Sequence, residues 1–208
     1  ERVSQMREGI KVIQGLLSND VFSFSGKYYN VDKAICSPKP LGKIPLWMGE
    51  TNIPDMVENI VEFADVFNSM PVSLEGFKEK MVILKDACNK QDRNFDSFGK
   101  SLETQILIVD SEQEKKDIFG RYREMLSKNN NKDDDIISQL KKVNPLLDDL
   151  SDPSQFENEF MIGSIEHIRE RIDAFVQLGV NHFMFWFMDY PDHKSIIRFA
   201  REIIPFYN

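Results

Sequence analysis

Apolar and polar positions alternate along this chain in two rhythms. At the amino end Val3, Met6, Ile10, Ile13 and Leu17 recur at spacings of three and four, which predicts a helix over 2–18. A period-two stretch follows. Phe22 and Phe24 flank Ser23, Ser25-Gly26 reads as a turn, and Tyr28-Tyr29-Asn30-Val31 returns, so 20–40 is read as a hairpin excursion closed by Pro38 and Pro40. Beyond it, continuous apolar runs alternate with helical stripes. Strands are predicted at 44–49, 64–70, 102–110 and 180–188. Helices are predicted at 54–63, 73–91, from 112 to about 127, at 163–179 and at 192–206. Ser73 and Ser164 stand where helix caps belong, Gly76 is a mild helix defect, and Gly179 closes the helix that carries Ile165, Ile168, Ile172 and Phe175. The segment 128–160, with "KNNNKDDD" at its head, is a polar, acidic insertion with scattered leucines.

After the hairpin the order is βα four times, and the last strand, "VNHFMFWFM", is apolar at both parities. Such strands belong in a parallel sheet covered on both faces. The expected fold is α/β, the second half of a (β/α)8 barrel, with a leading helix and a hairpin. A whole barrel takes about 250 residues, so 1–208 is expected to be a single domain incomplete at its amino terminus. The helix that opens at once on Glu1 agrees with that expectation.

Composition narrows the partners. The net charge of −8 repels phosphate backbones, so nucleic acid is not expected. No apolar run reaches the length of a membrane helix. Cys36 and Cys88 lack metal spacing and are read as reduced, packed thiols of a cytoplasmic protein. The histidines make no metal pattern.

In a parallel βα array, ligands gather at the carboxyl ends of the strands. Those ends are Met48-Gly49-Glu50-Thr51, Phe67-Asn68-Ser69, Val109-Asp110 and Met188-Asp189-Tyr190-Pro191. In "KIPLWMGETNIPDM", Gly49 is expected to turn the backbone and admit a ligand, and Glu50, Thr51 and Asn52 lead into a helix start whose free N–H groups favour phosphate. A second reading stays open, in which Asn52 only caps the helix. Asn68 and Ser69 are equally a ligand contact or a turn. Asp189 reads first as a turn residue. No catalytic residue and no metal ligand is assigned.

The segments "ERVSQMREGIKVIQGLLSND", "FSGKYYNVDKAICSPKPLGKIPLWMGE", "FADVFNS", "IGSIEHIRERIDAFVQLGVNHFMFWFMDYP" and "FAREIIPFYN" together resemble the luciferase-like oxidoreductase superfamily. That superfamily comprises flavin monooxygenases of the bacterial luciferase type and deazaflavin-dependent oxidoreductases. The stretch "FADVFNSM" with its Cys88-containing helix is more similar to the deazaflavin branch. The resemblance covers most of the chain except about 111–160. It implies a (β/α)8 barrel, FMN or coenzyme F420 as cofactor, a small organic substrate, and a phosphate contact at Gly49, Glu50 and Thr51. It implies further that the ring pocket lies largely upstream, so these residues alone are expected to be inactive. A homodimer is an assembly it allows. A non-catalytic flavin-binding or assembly protein on the same scaffold is the alternative. A third reading is a phosphate-ligand barrel such as a sugar-phosphate isomerase or aldolase, and the lack of lysine in the predicted strands argues against a Schiff-base aldolase.

Overall fold

The computed structural model describes residues 1–49, 54–129 and 157–207. They divide into two compact units, Glu1–Ser69 with Glu79–Ser101, and Met70–Lys78 with Leu102–Asn208.

The first unit opens with helix α1 (Arg2–Ser18) and a hairpin of β1 (Phe22–Ser25) and β2 (Asn30–Ala34), paired antiparallel. Helix α1 buries only part of the predicted stripe, with Val3 and Leu17 half-buried. Ile10 and Gly15 are buried, whereas Met6 and Ile13 are exposed. The hairpin decides this. The Phe22 ring lies so close to Gly15 that a Cβ there would stand 2.1 Å from it, so only glycine lets the ring dock. Glu8 fixes the other end. Its carboxylate accepts the N–H groups of Lys27, Tyr28 and Tyr29 at 2.9, 2.8 and 3.2 Å. Desolvation would raise the Glu8 carboxyl, but the three N–H groups bring it below its usual value. The "FSGKYY" pattern is thus a helix-to-hairpin clamp.

Strand β3 is shorter than predicted, Trp47–Gly49, and runs parallel to β4 (Val66–Ser69), with Trp47, Met48 and Gly49 opposite Val66, Phe67 and Asn68. Helix α2 (Pro54–Phe63) joins them and buries Met56, Ile60 and Val61 as its stripe requires. Before β3, chain pairing passes to Asp65. Its carboxylate accepts the Leu46 N–H at 2.8 Å and pairs with Lys43, while its own N–H bonds Leu46 O at 2.8 Å. Desolvation pushes the Asp65 carboxyl up, but the Lys43 ammonium and the Leu46 N–H hold it below its usual value. A carboxyl lowered on folding contributes stability that is present above its unfolded pKa and is lost as pH falls through the folded one. Asp65→Ala is therefore expected to lose about 1 kcal/mol at neutral pH. Asp65→Asn should lose less, because its amide oxygen still accepts from Leu46. The gap between wild type and Asp65→Ala should close below about pH 4, read by urea melts across pH. A gap constant from pH 7 to 3 would remove the ion pair from the account.

Helix α3 (Leu74–Lys90) buries Phe77, Met81, Leu84 and Cys88, the predicted stripe. Ser73 caps it by accepting the Gly76 N–H at 3.1 Å, so Gly76 belongs to the cap rather than to a weakened helix interior. The Cys88 thiol is fully buried, and burial pushes its pKa up.

Strand β5 (Gly99–Ile108) starts earlier than predicted, and the first unit holds its head, where Gly99 N–H bonds Asp65 O at 2.9 Å. The extra residues bring Lys100 into a strand. It lies at the amino end, 6% exposed, with its ammonium 4.2 Å from the centre of the Phe95 ring. The strand therefore does contain a lysine, but at the end opposite to where ligands gather.

In the second unit the rest of β5 pairs in parallel with β6 (Met161–Gly163), a strand absent from the sequence reading, and also with β7 (His182–Phe187). Helix α4 (Glu112–Asn129) covers Leu107, Val109 and Ile162 with Ile118 and Phe119. Helix α5 (Ile165–Gln177) is capped by Ser164, which accepts the His167 N–H, and buries all four predicted stripe residues. Gly163 and Gly179 take left-handed φ values of 150° and 94° around it.

Strand β7 departs from expectation, since none of its residues is fully buried and Trp186 is 62% exposed. Phe183 instead stacks on Phe185, and Phe185 and Phe187 meet Phe199 edge-on. The predicted helix 192–206 is three pieces: helix α6 (Lys194–Arg198), a π-helical turn at Phe199–Ile203 and a 3-10 turn at Ile204–Phe206, where Pro205 cannot donate to the ladder. Most of the insertion at 128–160 lies outside the described residues.

Candidate functional site

Polar groups gather at strand ends in two places, one in each unit. In the first unit, β3 and β4 end side by side, with Gly49 opposite Asn68. Alternation along a strand sets Gly49 and Asn68 on one face and Met48, Phe67 and Ser69 on the other. Met48 and Phe67 are core, at 2% exposure each. Gly49 is exposed, and a Cβ built on it would meet no atom of the described residues within 4 Å. Gly49 is the last residue of β3, without a left-handed φ, and the turn expected to follow it falls on residues outside those described. What the missing side chain provides is open space in front of the backbone. Ser69 is fully buried, and its hydroxyl accepts from the Lys80 ammonium at 3.4 Å. Glu50, Thr51 and Asn52 lie outside the described residues.

This arrangement fits a phosphate-bearing group at the level the described residues allow. The cradle that a Cβ would fill is open at Gly49, and the Asn68 amide stands on the same face.

In the second unit, the ends of β5 and β7 and the start of α4 line a half-open pocket of ≈ 610 Å³. Val109-Asp110 leads into it. Asp110 is bonded in a fork to Arg198 at 3.0 and 3.1 Å. Lys194 pairs with Glu114, and that ammonium, with the Asp110 N–H, holds the Glu114 carboxyl below its usual range. Arg121 pairs with Asp192 at 2.9 Å. Asp189, expected to be a turn residue, is 4% exposed. Its Oδ2 accepts the Ser195 N–H at 2.7 Å, and the buried Ser195 hydroxyl accepts the Ile108 N–H at 3.2 Å. The Asp189 Oδ1 atom is buried without a hydrogen-bond partner. Ser195 was not legible from the sequence. The spacing of Asp189 and Ser195 around a Tyr-Pro-Asp turn was the available signal, and only the fold brings Ile108 to it.

The sequence pattern of the luciferase-like monooxygenase family matches residues 1–182. Among curated proteins, an FMNH(2)-dependent dimethylsulfone monooxygenase of Pseudomonas fluorescens is 24% identical over 217 residues, covering 99% of this chain and 57% of its own length. An F420-dependent glucose-6-phosphate dehydrogenase of Nakamurella multipartita is 21% identical, covering 99% of this chain and 60% of its own length. Among solved structures, an F420-dependent secondary alcohol dehydrogenase in complex with an F420-acetone adduct superposes with a TM-score of 0.74 at 19% identity, over 98% of this chain and 61% of that one. EDTA monooxygenase from Chelativorans sp. BNC1 gives 0.67 at 20%, over 99% and 59%. This chain therefore spans about three-fifths of the length of the relatives it matches.

Proposed function

This chain belongs to the luciferase-like monooxygenase family, and on that premise we propose that it serves an oxidoreductase that holds the phosphate of FMN or of the deazaflavin F420 at the ends of β3 and β4. The observation that carries the proposal is the open front of Gly49 beside Asn68. A phosphate needs close approach to backbone N–H groups, and a side chain at position 49 would stand in its way. In this reading Glu50, Thr51 and Asn52 continue the cradle, with the Thr51 hydroxyl as a donor. Asn68 donates its amide from the neighbouring strand. Ser69, buried and accepting a hydrogen bond from the half-buried Lys80, holds the end of β4 in place. When bound, flavin supplies electrons for oxygen activation, and deazaflavin exchanges a hydride with an organic substrate. The chain's part is to bind and orient the cofactor's phosphate end.

The test is equilibrium titration of the protein with FMN, riboflavin and F420, followed by absorbance and tryptophan fluorescence. Dissociation constants well below about 1 mM, or −4 kcal/mol, are expected for at least one phosphorylated cofactor. Failure of both to bind would remove the reading.

A further inference from the structure

Lys80 lies on α3 one position before Met81 and three after Phe77, both buried, so it stands at the shoulder of the helix's buried stripe. It is half-buried, and its ammonium donates to the Ser69 hydroxyl at 3.4 Å. Ser69 is fully buried, is the last residue of β4 and follows Asn68 directly, and Asn68 is the register partner of Gly49. The ammonium is thereby fixed at the carboxyl end of β4, one residue from the pair at which the phosphate is placed. The bond goes to a neutral hydroxyl, so it sets the position of the ammonium without cancelling its charge. Two other lysines nearby in the chain are placed differently. Lys43 pairs with Asp65 ahead of β3, at the amino end of that strand, and Lys78 pairs with Glu75 along the exposed side of α3. A half-buried ammonium gives up part of its hydration, a cost that an apolar side chain at position 80 would avoid. The sequence supplies a reason for the charge. Glu50 follows Gly49, so the loop that is to hold a phosphate carries a carboxylate of the same sign.

We infer that Lys80 sets the selectivity of these strand ends for an anionic ligand, and so for the phosphorylated over the phosphate-free form of the cofactor. The inference rests on the phosphate reading above and names the residue that makes that site discriminate by charge. Ser69 faces away from the side that Gly49 and Asn68 share, so Lys80 acts from behind the strand end, through the field of its ammonium, and forms no bond to the phosphate. Ser69 is the positioning residue that holds the ammonium there. A field has two properties that a purely structural Lys80–Ser69 contact lacks. Its effect depends on the charge of the ligand, and it weakens with salt as the Debye length shortens from about 30 Å at 0.01 M to about 8 Å at 0.15 M.

The experiment is calorimetric titration of the protein at those two salt concentrations with FMN and riboflavin, and with F420 and its phosphate-free chromophore, 8-hydroxy-5-deazariboflavin. Lys80→Gln keeps an N–H donor for Ser69 and removes only the charge. It is expected to weaken the phosphorylated ligand by about five- to tenfold at low salt, to leave the phosphate-free form unchanged, and to approach wild type at the higher salt. Lys80→Arg keeps the charge and should keep the preference. An undiminished preference in folded Lys80→Gln would overturn the assignment. So would an equal loss for both forms, which is the signature of a structural contact, or a loss in Lys80→Arg as large as in Lys80→Gln. A wild-type ratio of the two affinities that does not fall with salt would overturn it as well. Should Lys80→Gln not fold, Lys80→Met is read by the same criteria. The two readings fail differently. Equal affinity of wild type for both forms of the cofactor removes the phosphate site and Lys80 with it, whereas a wild-type preference that survives Lys80→Gln removes only the role of Lys80.

Discussion

Phe175→Ala is expected to lower the stability of the second unit by about 3–5 kcal/mol. Phe175 is 1% exposed on α5 and meets the Phe77 ring edge-on at 5.5 Å between centroids, with an interplanar angle of 81°. Phe77 is itself fully buried. Truncation removes the transfer free energy of a whole aromatic ring, leaves a cavity between two rigid helices, and forfeits an edge-to-face contact of about 0.5–1.5 kcal/mol. Against a total of about 5–15 kcal/mol, that loss is a large fraction. Val176 is the built-in control. It is the next residue along and 45% exposed, so Val176→Ala should change stability by no more than about 0.5 kcal/mol. Urea melts followed by circular dichroism measure both. A loss below about 1 kcal/mol for Phe175→Ala would mean that the ring pair is not what anchors α5.

The helices were legible wherever one face carried a full stripe. Ile165, Ile168, Ile172 and Phe175 are the residues α5 buries, and Phe77, Met81, Leu84 and Cys88 are buried in α3. Periodicity works there because a helix's own geometry puts these residues together. It was right only in part in α1, where Ile10 is buried but Met6 and Ile13 are exposed and the hairpin docks on Gly15, a residue that hydrophobic patterns do not count. Strand limits were less legible, because they depend on a partner remote in sequence. Strand β3 begins where Asp65 stops engaging Leu46, and β6 is too short for its apolar pair to signal a strand. In β7, apolarity reported a demand for burial that the described residues meet only in part. Of the candidate site, the strand-end rule located Gly49, Asn68 and Asp189. It could not tell that Ser69 faces inward, which depends on the parity of a four-residue strand. Nor could it find Ser195, which joins the site by a bond to a residue 87 positions away.

Gly49→Val is the substitution that separates a ligand site from a structural glycine. Gly49 is an exposed strand residue without a left-handed φ, and among the described residues a valine would meet no atom within 4 Å of its first carbon. Valine is also favoured in strands, and the fold should keep or gain stability. Affinity should move the other way. A branched side chain in front of the backbone blocks a phosphate from the N–H groups it needs, and each charge-assisted bond lost is about 1.5–3 kcal/mol. FMN or F420 binding should therefore weaken by at least tenfold, with a larger loss if more than one bond goes. Thr51→Ala, which removes one proposed donor, should weaken it by about tenfold to a hundredfold. Riboflavin lacks the phosphate, so if flavin is the cofactor its affinity should be nearly the same in wild type and Thr51→Ala. A stable Gly49→Val that binds the phosphorylated cofactor as tightly as wild type would show that the open front of β3 holds no ligand. An equal loss for riboflavin and FMN in Thr51→Ala would assign Thr51 to the start of α2 alone, and the phosphate would have to be sought elsewhere.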